Sequence, residues 1–328
     1  MKKTFVIILL SFIVSSFTYG IEIKSKGENV TSEEKSADTL LQIADATFQA
    51  QDYKTALSQY QETLNKAKEE FNNSVEVEAM SQIARVNLIL GDKEEGRGWL
   101  NEAKARATDS DPMGWSRYLG VKGRFEWKDN DLKTARNTFD EMYNYCTVNA
   151  LWGRAVDAAH MIAIVAQTPQ EQIEWSRRGI EAAEAADNEK WLGPLWNNLA
   201  CTYYDIKQYD SALECYKRAR EYHWHYSNET AKLFADYQIG MTYRALGDYE
   251  QALKWLRPVL AWAERLNNHS AIGQACEDLG EIDIAQGKKA EGLNFFKRAR
   301  EEYKKARFDQ TWPEIWNNIN KRIKESEN

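Results

Sequence analysis

Two carboxylates one helical turn apart, Glu277 and Glu281, have a spacing that could support acid–base chemistry. A glycoside hydrolase uses two facing acids in this way. Acids at this spacing are also typical of a solvated helix face, and the chain contains 50 Asp and Glu residues, so the pair is not specific. We therefore predict no catalytic residue, and an enzyme acting through Glu277 or Glu281 is kept as an alternative.

The four histidines do not form a metal site. His223 and His225 flank Trp224, and residues two apart on a helix point about 200° away from each other. His160 falls at a helix-packing position and is interpreted as a core residue. The sequence has no His-Glu-x-x-His, Gly-x-Ser-x-Gly, Cys-x-x-Cys or phosphate-binding Gly-rich motif. We predict neither a metal ion nor a cofactor.

Charge and cysteine content exclude further classes of protein. The net charge is −7, which disfavours attraction to nucleic acid or to anionic lipid. Four cysteines are too few for a disulfide-built scaffold, and buried free thiols are the interpretation that we favour. A disulfide between Cys201 and Cys215 is the alternative.

The N-terminus carries an export pattern. Lys2 and Lys3 precede an apolar run from Phe5 to Val14, and small residues stand before a cut after Gly20. The apolar stretch is short for a membrane span, so we predict a cleaved signal peptide over residues 1–20 rather than an anchor, and no stable membrane insertion after cleavage. Residues 21–36 are polar and are predicted to be a flexible lead-in.

A repeat determines how every other residue is interpreted. Small residues recur in pairs twelve apart, with a Gly, Asn or Asp turn pattern between the two members in most units. A large apolar residue usually follows four positions after the second member, which continues a helical stripe. Each unit is therefore predicted to be two antiparallel helices in close contact. The pairs are Ala44/Ala56, Ala84/Gly96, Gly123/Ala135, Ala200/Ala212, Gly240/Ala252 and Gly280/Gly292.

A seventh unit fits the frame less well, with His160 and Gln172 at the small positions. Measured from the third residue of each turn, the units follow one another at intervals of 37 to 40 residues. The third residues are Tyr53, Lys93, Leu132, Pro169, Tyr209, Tyr249 and Lys289. A seven-unit array is thus predicted over residues 37–309.

Two of these units resemble the tetratricopeptide repeat, in its long variant of about 40 residues. The residues that carry the resemblance are Trp196, Leu199, Ala200, Tyr203, Tyr209, Ala212, Tyr216 and Ala219, and again Ile239, Gly240, Tyr243, Gly247, Asp248, Tyr249 and Ala252. The resemblance implies an all-α, right-handed superhelical solenoid of antiparallel helix pairs, whose first helices line a concave groove that binds partners. Residues 310–328 are predicted to hold a capping helix, with Ile315, Ile319 and Ile323 on the array.

In this frame the inner residues of the first helices begin with the acids Asp38, Asp45 and Glu78, become basic and then apolar and aromatic, and end with Glu277 and Glu281. The predicted partner-binding residues are Arg85, Arg117, Arg124, Trp127, Arg154, Met161, Tyr204, Phe234, Tyr237 and Met241. Such a groove suits a protein or peptide with acidic and apolar anchors. The carboxylate clamp of chaperone-binding relatives is not matched, because Ser81, Gly120 and Asp157 stand where its first Lys is needed.

Twelve tryptophans are unusual for this length. Trp99, Trp175 and Trp255 share one repeat position, which favours a structural role. An alternative function is a glycan- or small-ligand-binding module with Trp127, Tyr204 and Tyr237 as stacking platforms. The favoured interpretation is an exported scaffold without catalysis, periplasmic or secreted, in the bacterial envelope.

Overall fold

The computed structural model describes residues 35–327. The predicted signal peptide, and all but the last two residues of the predicted lead-in, lie outside the described residues. Over this range the chain is α-helical with no β-strand, which confirms the all-α prediction. Its helices are α1 (Ala37–Gln49), α2 (Tyr53–Glu69), α3 (Asn73–Leu90), α4 (Lys93–Arg106), α5 (Pro112–Lys128), α6 (Leu132–Val148), α7 (Trp152–Val165), α8 (Pro169–Ala185), α9 (Glu189–Asp205), α10 (Tyr209–Tyr226), α11 (Glu229–Leu246), α12 (Tyr249–Arg265), α13 (His269–Ala285), α14 (Lys289–Lys305), α15 (Phe308–Thr311) and α16 (Pro313–Glu327).

The predicted turns separate the two helices of each pair. We call the helix before each turn the first helix and the helix after it the second helix. Every second helix begins at the residue that the sequence places third in the turn. The turn chemistry explains this: the side chains of Asp52, Asp131 and Asp248 each accept a hydrogen bond from a backbone N–H in the first turn of α2, α6 and α12. Gly91, with φ of 99°, takes the left-handed conformation that ends α3.

The small residues let the two backbones of a pair approach closely. A Cβ atom on Gly96 would lie 2.9 Å from the carbonyl oxygen of Ala84, and one on Gly292 would lie 2.9 Å from that of Gly280. Larger residues fill the space beside these contacts, and Tyr60, Phe139, Tyr216, Leu256 and Phe296 are all buried there. The predicted helix-pair contact is therefore confirmed.

The helices of the fourth pair, α7 and α8, are also in contact, but other residues make the contact. His160 and Gln172 stand at its small positions, but a Cβ on Gly179 would lie 3.5 Å from that of Ala159, an ordinary packing distance. Ala155, Val156, Ala158 and Ile162 complete the buried face of α7. The contact between the two helices is displaced rather than missing.

The described residues form two compact units, 35–195 and 196–327, and α9 contributes residues to both. In the first unit the first helices α1, α3, α5 and α7 contact one another in succession. In the second unit α11 contacts α13 in the same way. None of the helices within residues 35–327 contains a stretch both long and apolar enough to cross a bilayer.

The predicted capping helix corresponds to α16. Ile319 is fully buried and Ile323 is 5% exposed, while Ile315 packs at the edge of the same cluster. That cluster includes Phe296 and Tyr303 of α14. The helix thus covers the apolar face that the last pair would otherwise expose to water.

Candidate partner-binding site

A row of charged side chains joins the first helices of residues 35–195. Arg117 on α5 donates from Nε to Glu78 Oε2 on α3 over 2.9 Å and from Nη2 to Asp45 Oδ2 on α1 over 2.7 Å. Arg154 on α7 donates to the same Glu78 oxygen. The partners are 39 to 76 residues apart in sequence, so the bonds join four separate helices. We call Asp45, Glu78, Arg85, Arg117, Arg124, Arg154 and Asp157 the charged row.

Neutral hydrogen-bonding groups complete the coordination of Asp45. Tyr60 donates its hydroxyl to Asp45 Oδ1 over 2.6 Å, and Gln82 donates from Nε2 to the same oxygen over 2.9 Å. Burial alone would raise the pKa of Asp45, but the charge of Arg117 and these hydrogen bonds outweigh it and lower the pKa. Asp45 is therefore an anion at neutral pH, which holds Arg117 in place.

Arg124 has its own carboxylate partner. Its Nη2 donates to Asp157 Oδ1 over 2.6 Å, and its Nη1 donates to the carbonyl oxygen of Gly120 over 2.8 Å. Burial opposes the ionisation of Asp157, yet Arg124 and Arg85 lower its pKa below the ordinary range. Burial also lowers the pKa of nearby His160 to about 4, so this imidazole is neutral at pH 7. These bonds satisfy Arg124 within the chain.

Arg85 on α3 is the exception in the row. Its guanidinium carbon lies 4.7 Å from the centre of the Phe48 ring. Among the described residues it forms no ion pair, since the row's carboxylates are bonded to Arg117, Arg124 and Arg154. Burial, together with the charges of Arg124 and Arg117, lowers its pKa to about 10, so it is still a cation at neutral pH. The charged row contains four guanidinium groups and three carboxylates, which leaves one positive charge without a counter-charge.

The other two predicted residues of the first unit serve packing. Met161 is 4% exposed, and Trp127 packs against the cluster that holds Met161, Ile162 and Phe139. Lys128 lies over the outer side of the Trp127 ring at 5.3 Å. Trp127 is therefore not an open platform for stacking on a sugar.

The predicted aromatic residues of the second unit are also engaged. Tyr204 packs edge-on against Tyr209 at 5.1 Å, and Phe234 packs edge-on against Tyr237 at 6.4 Å. Tyr237 hydrogen-bonds to Asp278, and Met241 is 4% exposed. Burial raises the pKa of both Tyr204 and Tyr237, so both phenols stay neutral. Tyr204 and Phe234 are half-buried and retain some accessible ring surface.

The carboxylates Glu277 and Glu281 belong to a cluster of charged side chains at the cap, in which Arg322 of the capping helix contacts both. Arg322 on α16 lies 3.2 Å from Glu277 and also pairs with Glu281. Arg244 on α11 pairs with Glu281 and lies 2.6 Å from Asp278 Oδ1. Arg244, Glu281 and Arg322 also line an open cleft of about 410 Å³. The pair thus contacts the capping helix through Arg322.

Tyr303 completes this cluster through a hydrogen bond to Glu277, and burial raises the pKa of Glu277. The Tyr303 hydroxyl donates to Glu277 Oε2 over 2.7 Å. Burial raises the pKa of Glu277 to about 7; Asp278 and Glu281 push in the same direction, while the Tyr303 hydrogen bond and Arg322 oppose it. Glu277 is therefore partly protonated near neutral pH.

Histidine, cysteine and tryptophan side chains serve structural contacts. His223 is 6% exposed, and its Nδ1 lies 2.8 Å from Ser227 Oγ. No group of three or more His, Cys, Asp or Glu within residues 35–327 is arranged to hold a metal ion. All four cysteines are free and buried. Trp175 lies between Arg136 of α6 and Arg178 of its own helix, and Arg220 contacts Trp224 and Trp255 in the same manner.

Sequence reasoning missed Asp157 as the partner of Arg124, and Tyr60 and Gln82 as donors to Asp45. It also missed Arg244 and Arg322, which pair with the acids of α13. A pattern in the repeat frame could have indicated part of the row. Glu78, Arg117 and Arg154 occupy one position of three successive units, and Asp45, Arg85 and Arg124 occupy another. Opposite charges at one repeat position of stacked units predict ion pairs between the units.

Comparison with known proteins places this architecture in a defined class, the helix-pair repeat proteins. Models of the tetratricopeptide repeat match residues 41–112, 194–222 and 232–305. The chain therefore contains tetratricopeptide repeats. No curated protein sequence matches it significantly.

Solved structures share the fold at low sequence identity. A signal-transduction ATPase with numerous domains from Pyrococcus horikoshii, which has a tetratricopeptide repeat sensor, superposes with a TM-score of 0.70 at 17% identity over 88% of this chain. This chain spans 44% of the length of that ATPase. BtubC from P. vanneervenii gives a TM-score of 0.56 at 14% identity, covering 71% of this chain and 93% of BtubC. The apo form of RapI gives 0.53 at 11% identity, covering 83% and 98%.

Proposed function

We propose that the chain is a scaffold that binds a protein or peptide partner along the first helices of residues 35–195 and does no chemistry of its own. The observation that supports this most directly is the charged row, which crosses four helix pairs and contains one cation without a counter-charge. A polar surface of this length suits an extended or helical segment rather than a small molecule.

The ion pairs favour binding through pre-organisation. Arg117 and Arg154 share Glu78, and Asp45 accepts from three donors, so these side chains are held in one arrangement before a partner arrives. Ordering flexible side chains on binding has an entropic cost, and a surface whose side chains are already ordered avoids most of it. In the second unit, taken by itself, the half-buried rings of Tyr204 and Phe234 are proposed as a contact for apolar side chains.

The sensor role of the Pyrococcus repeats is consistent with recognition. We extend only recognition to this chain, because the identity of 17% carries the fold and not the ligand. Catalysis is not part of the proposal: the carboxylate pair Glu277 and Glu281, which could have supported it, is bonded to Arg244, Arg322 and Tyr303.

The test is capture of partners from an extract of the native host, followed by hydrogen exchange of the purified complex. We expect added protection in α1, α3, α5 and α7 and little change in α2, α4, α6 and α8. Protection confined to the second helices would overturn the proposal. Reversing the charge of Arg117 and Arg124 is a poor probe, because glutamate there would face Glu78 and Asp157 and destabilise the fold.

We also propose export to the bacterial envelope, on the pattern of residues 1–20. The test is fractionation of the native host with N-terminal sequencing of the protein. Recovery outside the cytoplasm with a first residue near Ile21 is the expected result. A cytoplasmic protein that retains Met1 to Gly20 would contradict it.

A further inference from the structure

Every side chain of the charged row except Arg85 is ion-paired within the row. Each carboxylate in the row is bonded to an arginine other than Arg85. Arg117 and Arg124 add positive potential around Arg85, and Asp157, whose charge opposes theirs, is already bonded to Arg124. A half-buried cation without a counter-ion is costly, because its lost hydration is not replaced.

The geometry around Arg85 leaves its best donors available. The guanidinium carbon lies 4.7 Å from the centre of the Phe48 ring, and Arg85 forms no hydrogen bond to the described residues. The N–H groups of a guanidinium lie in its plane, so contact with a ring leaves them free to bind another group. Two parallel N–H donors match the two oxygens of a carboxylate. Phe48 also screens one side of the site from water, which strengthens an ion pair there.

We infer that Arg85 is the anchor for a single carboxylate of the partner, held on the Phe48 ring and balancing the charge of the row. The inference rests on the proposed function and makes it more specific. The anchored group is one negative charge, since the row exceeds its own carboxylates by one cation. The partner is therefore a peptide with an Asp or Glu side chain, or a terminal carboxylate, at this point.

The experiment measures binding of defined probes to the purified chain by fluorescence anisotropy at low ionic strength. One labelled probe is N-acetyl tetraglutamate amide, which offers side-chain carboxylates. A second is N-acetyl tetra-alanine with a free C-terminus, which offers a terminal carboxylate. Chloride and acetate are competitors, and acetate, which is a carboxylate, is expected to displace the probe at the lower concentration. We expect at least one peptide probe to bind, and the one that binds identifies the source of the carboxylate.

Three variants distinguish binding of the probe at Arg85 from a general effect of positive charge. Arg85→Gln is expected to weaken binding of that probe by at least roughly tenfold, and Arg85→Lys by less, since Lys keeps the charge but not the paired donors. The matched control is Arg97→Gln: Arg97 also lies over a phenylalanine, at 5.7 Å from Phe125, but Asp129 already pairs with it. This control should bind the probe as the unmodified chain does.

Unfolding in urea without probe distinguishes a binding role from a structural one. Arg85→Gln should unfold at the same or a higher urea concentration, because it breaks no ion pair and removes a repelling charge. A clear fall in stability would assign Arg85 to the structure instead. Unchanged affinity in Arg85→Gln, no binding of either peptide, or displacement by chloride as effective as by acetate would each overturn the inference. If the Arg85 inference fails but the first helices are still protected in the captured complex, the scaffold proposal stands. Failure of the inference is therefore distinguishable from failure of the proposed function.

Discussion

Arg117 Nε donates to Glu78 Oε2 over 2.9 Å, and this bond connects helices of two successive repeats. Glu78 is 3% exposed and also accepts from Arg154, so one buried carboxylate serves two guanidinium groups. Buried charges of this kind are stable only when each is paired. The relationship makes Glu78 the central anion of the row.

Replacing Glu78 with Gln should therefore destabilise the first unit strongly. The change keeps the size of the side chain but leaves Arg154 without its carboxylate and Arg117 with Asp45 alone. We expect a loss of about 3 kcal/mol in the free energy of unfolding. Urea unfolding of residues 35–195 within the full chain, followed by hydrogen exchange in α3 and α5, measures it. Glu94→Gln, at a side chain that is 91% exposed, is the control and should change little.

The close contact of paired helices gives a second prediction, with both variants on α4. Gly96→Ala would place a Cβ 2.9 Å from the Ala84 carbonyl oxygen and 2.9 Å from Phe125 Cζ, so the helices must separate. We expect a loss of about 1–3 kcal/mol. Gly98→Ala meets no atom within 4 Å and should raise stability by about 0.5–1 kcal/mol. Equal effects of the two variants on the thermal midpoint would contradict the assigned contact.

The capping helix gives a third prediction. Ile319 is fully buried against the end of the second unit, and Ile315 lies at the edge of the same cluster. Ile319→Ala should destabilise residues 196–327 by about 2–5 kcal/mol through the lost burial and the cavity left behind. Ile315→Ala should cost clearly less. Hydrogen exchange in α14 should rise in the first variant, and unchanged protection there would argue against a capping role.

The helix pairs could be predicted from sequence because their cause is local and repeated. A small residue at each contact, twelve positions from its partner, and an Asp, Asn or Gly turn between them are visible in the chain itself. The same frame places Pro169 and Tyr209 third in their turns, and in the structure each is the first residue of a second helix. The fourth pair differs, because its contact is made by Ala159, one residue before His160, and Gly179, seven residues after Gln172.

The site was less predictable because its contacts are not local. The frame placed Arg117 and Asp45 in the groove but did not show that they bond to each other across 72 residues. Which side chains meet depends on how far successive first helices are offset, a quantity that composition and spacing do not contain. The zones predicted as acidic and basic consequently interleave, and within the charged row Arg85 is left without a carboxylate partner.

The last prediction concerns the pH dependence of the second unit, through Glu277. Burial raises its pKa from an ordinary 4.5 to about 7 in the folded chain, so the folded state binds this proton more tightly than the unfolded state. The stability that the proton contributes is fully present below pH 4.5 and is lost as pH rises to about 7. The groups that face Glu277 are Tyr303 on α14, Arg322 on α16, and Asp278 and Glu281 on its own helix.

Glu277→Gln mimics the protonated acid and should remove this loss. The variant is expected to be more stable than the unmodified chain at pH 8, by up to about 3 kcal/mol, and of similar stability at pH 4.5. Urea unfolding at a series of pH values, monitored by hydrogen exchange in α13 and α16, measures the difference. Glu301→Gln, at an exposed position of α14, should keep the pH dependence of the unmodified chain. If Glu277→Gln is instead less stable at pH 8, the ion pair with Arg322 outweighs burial, and Glu277 functions mainly as the anion that holds the capping helix.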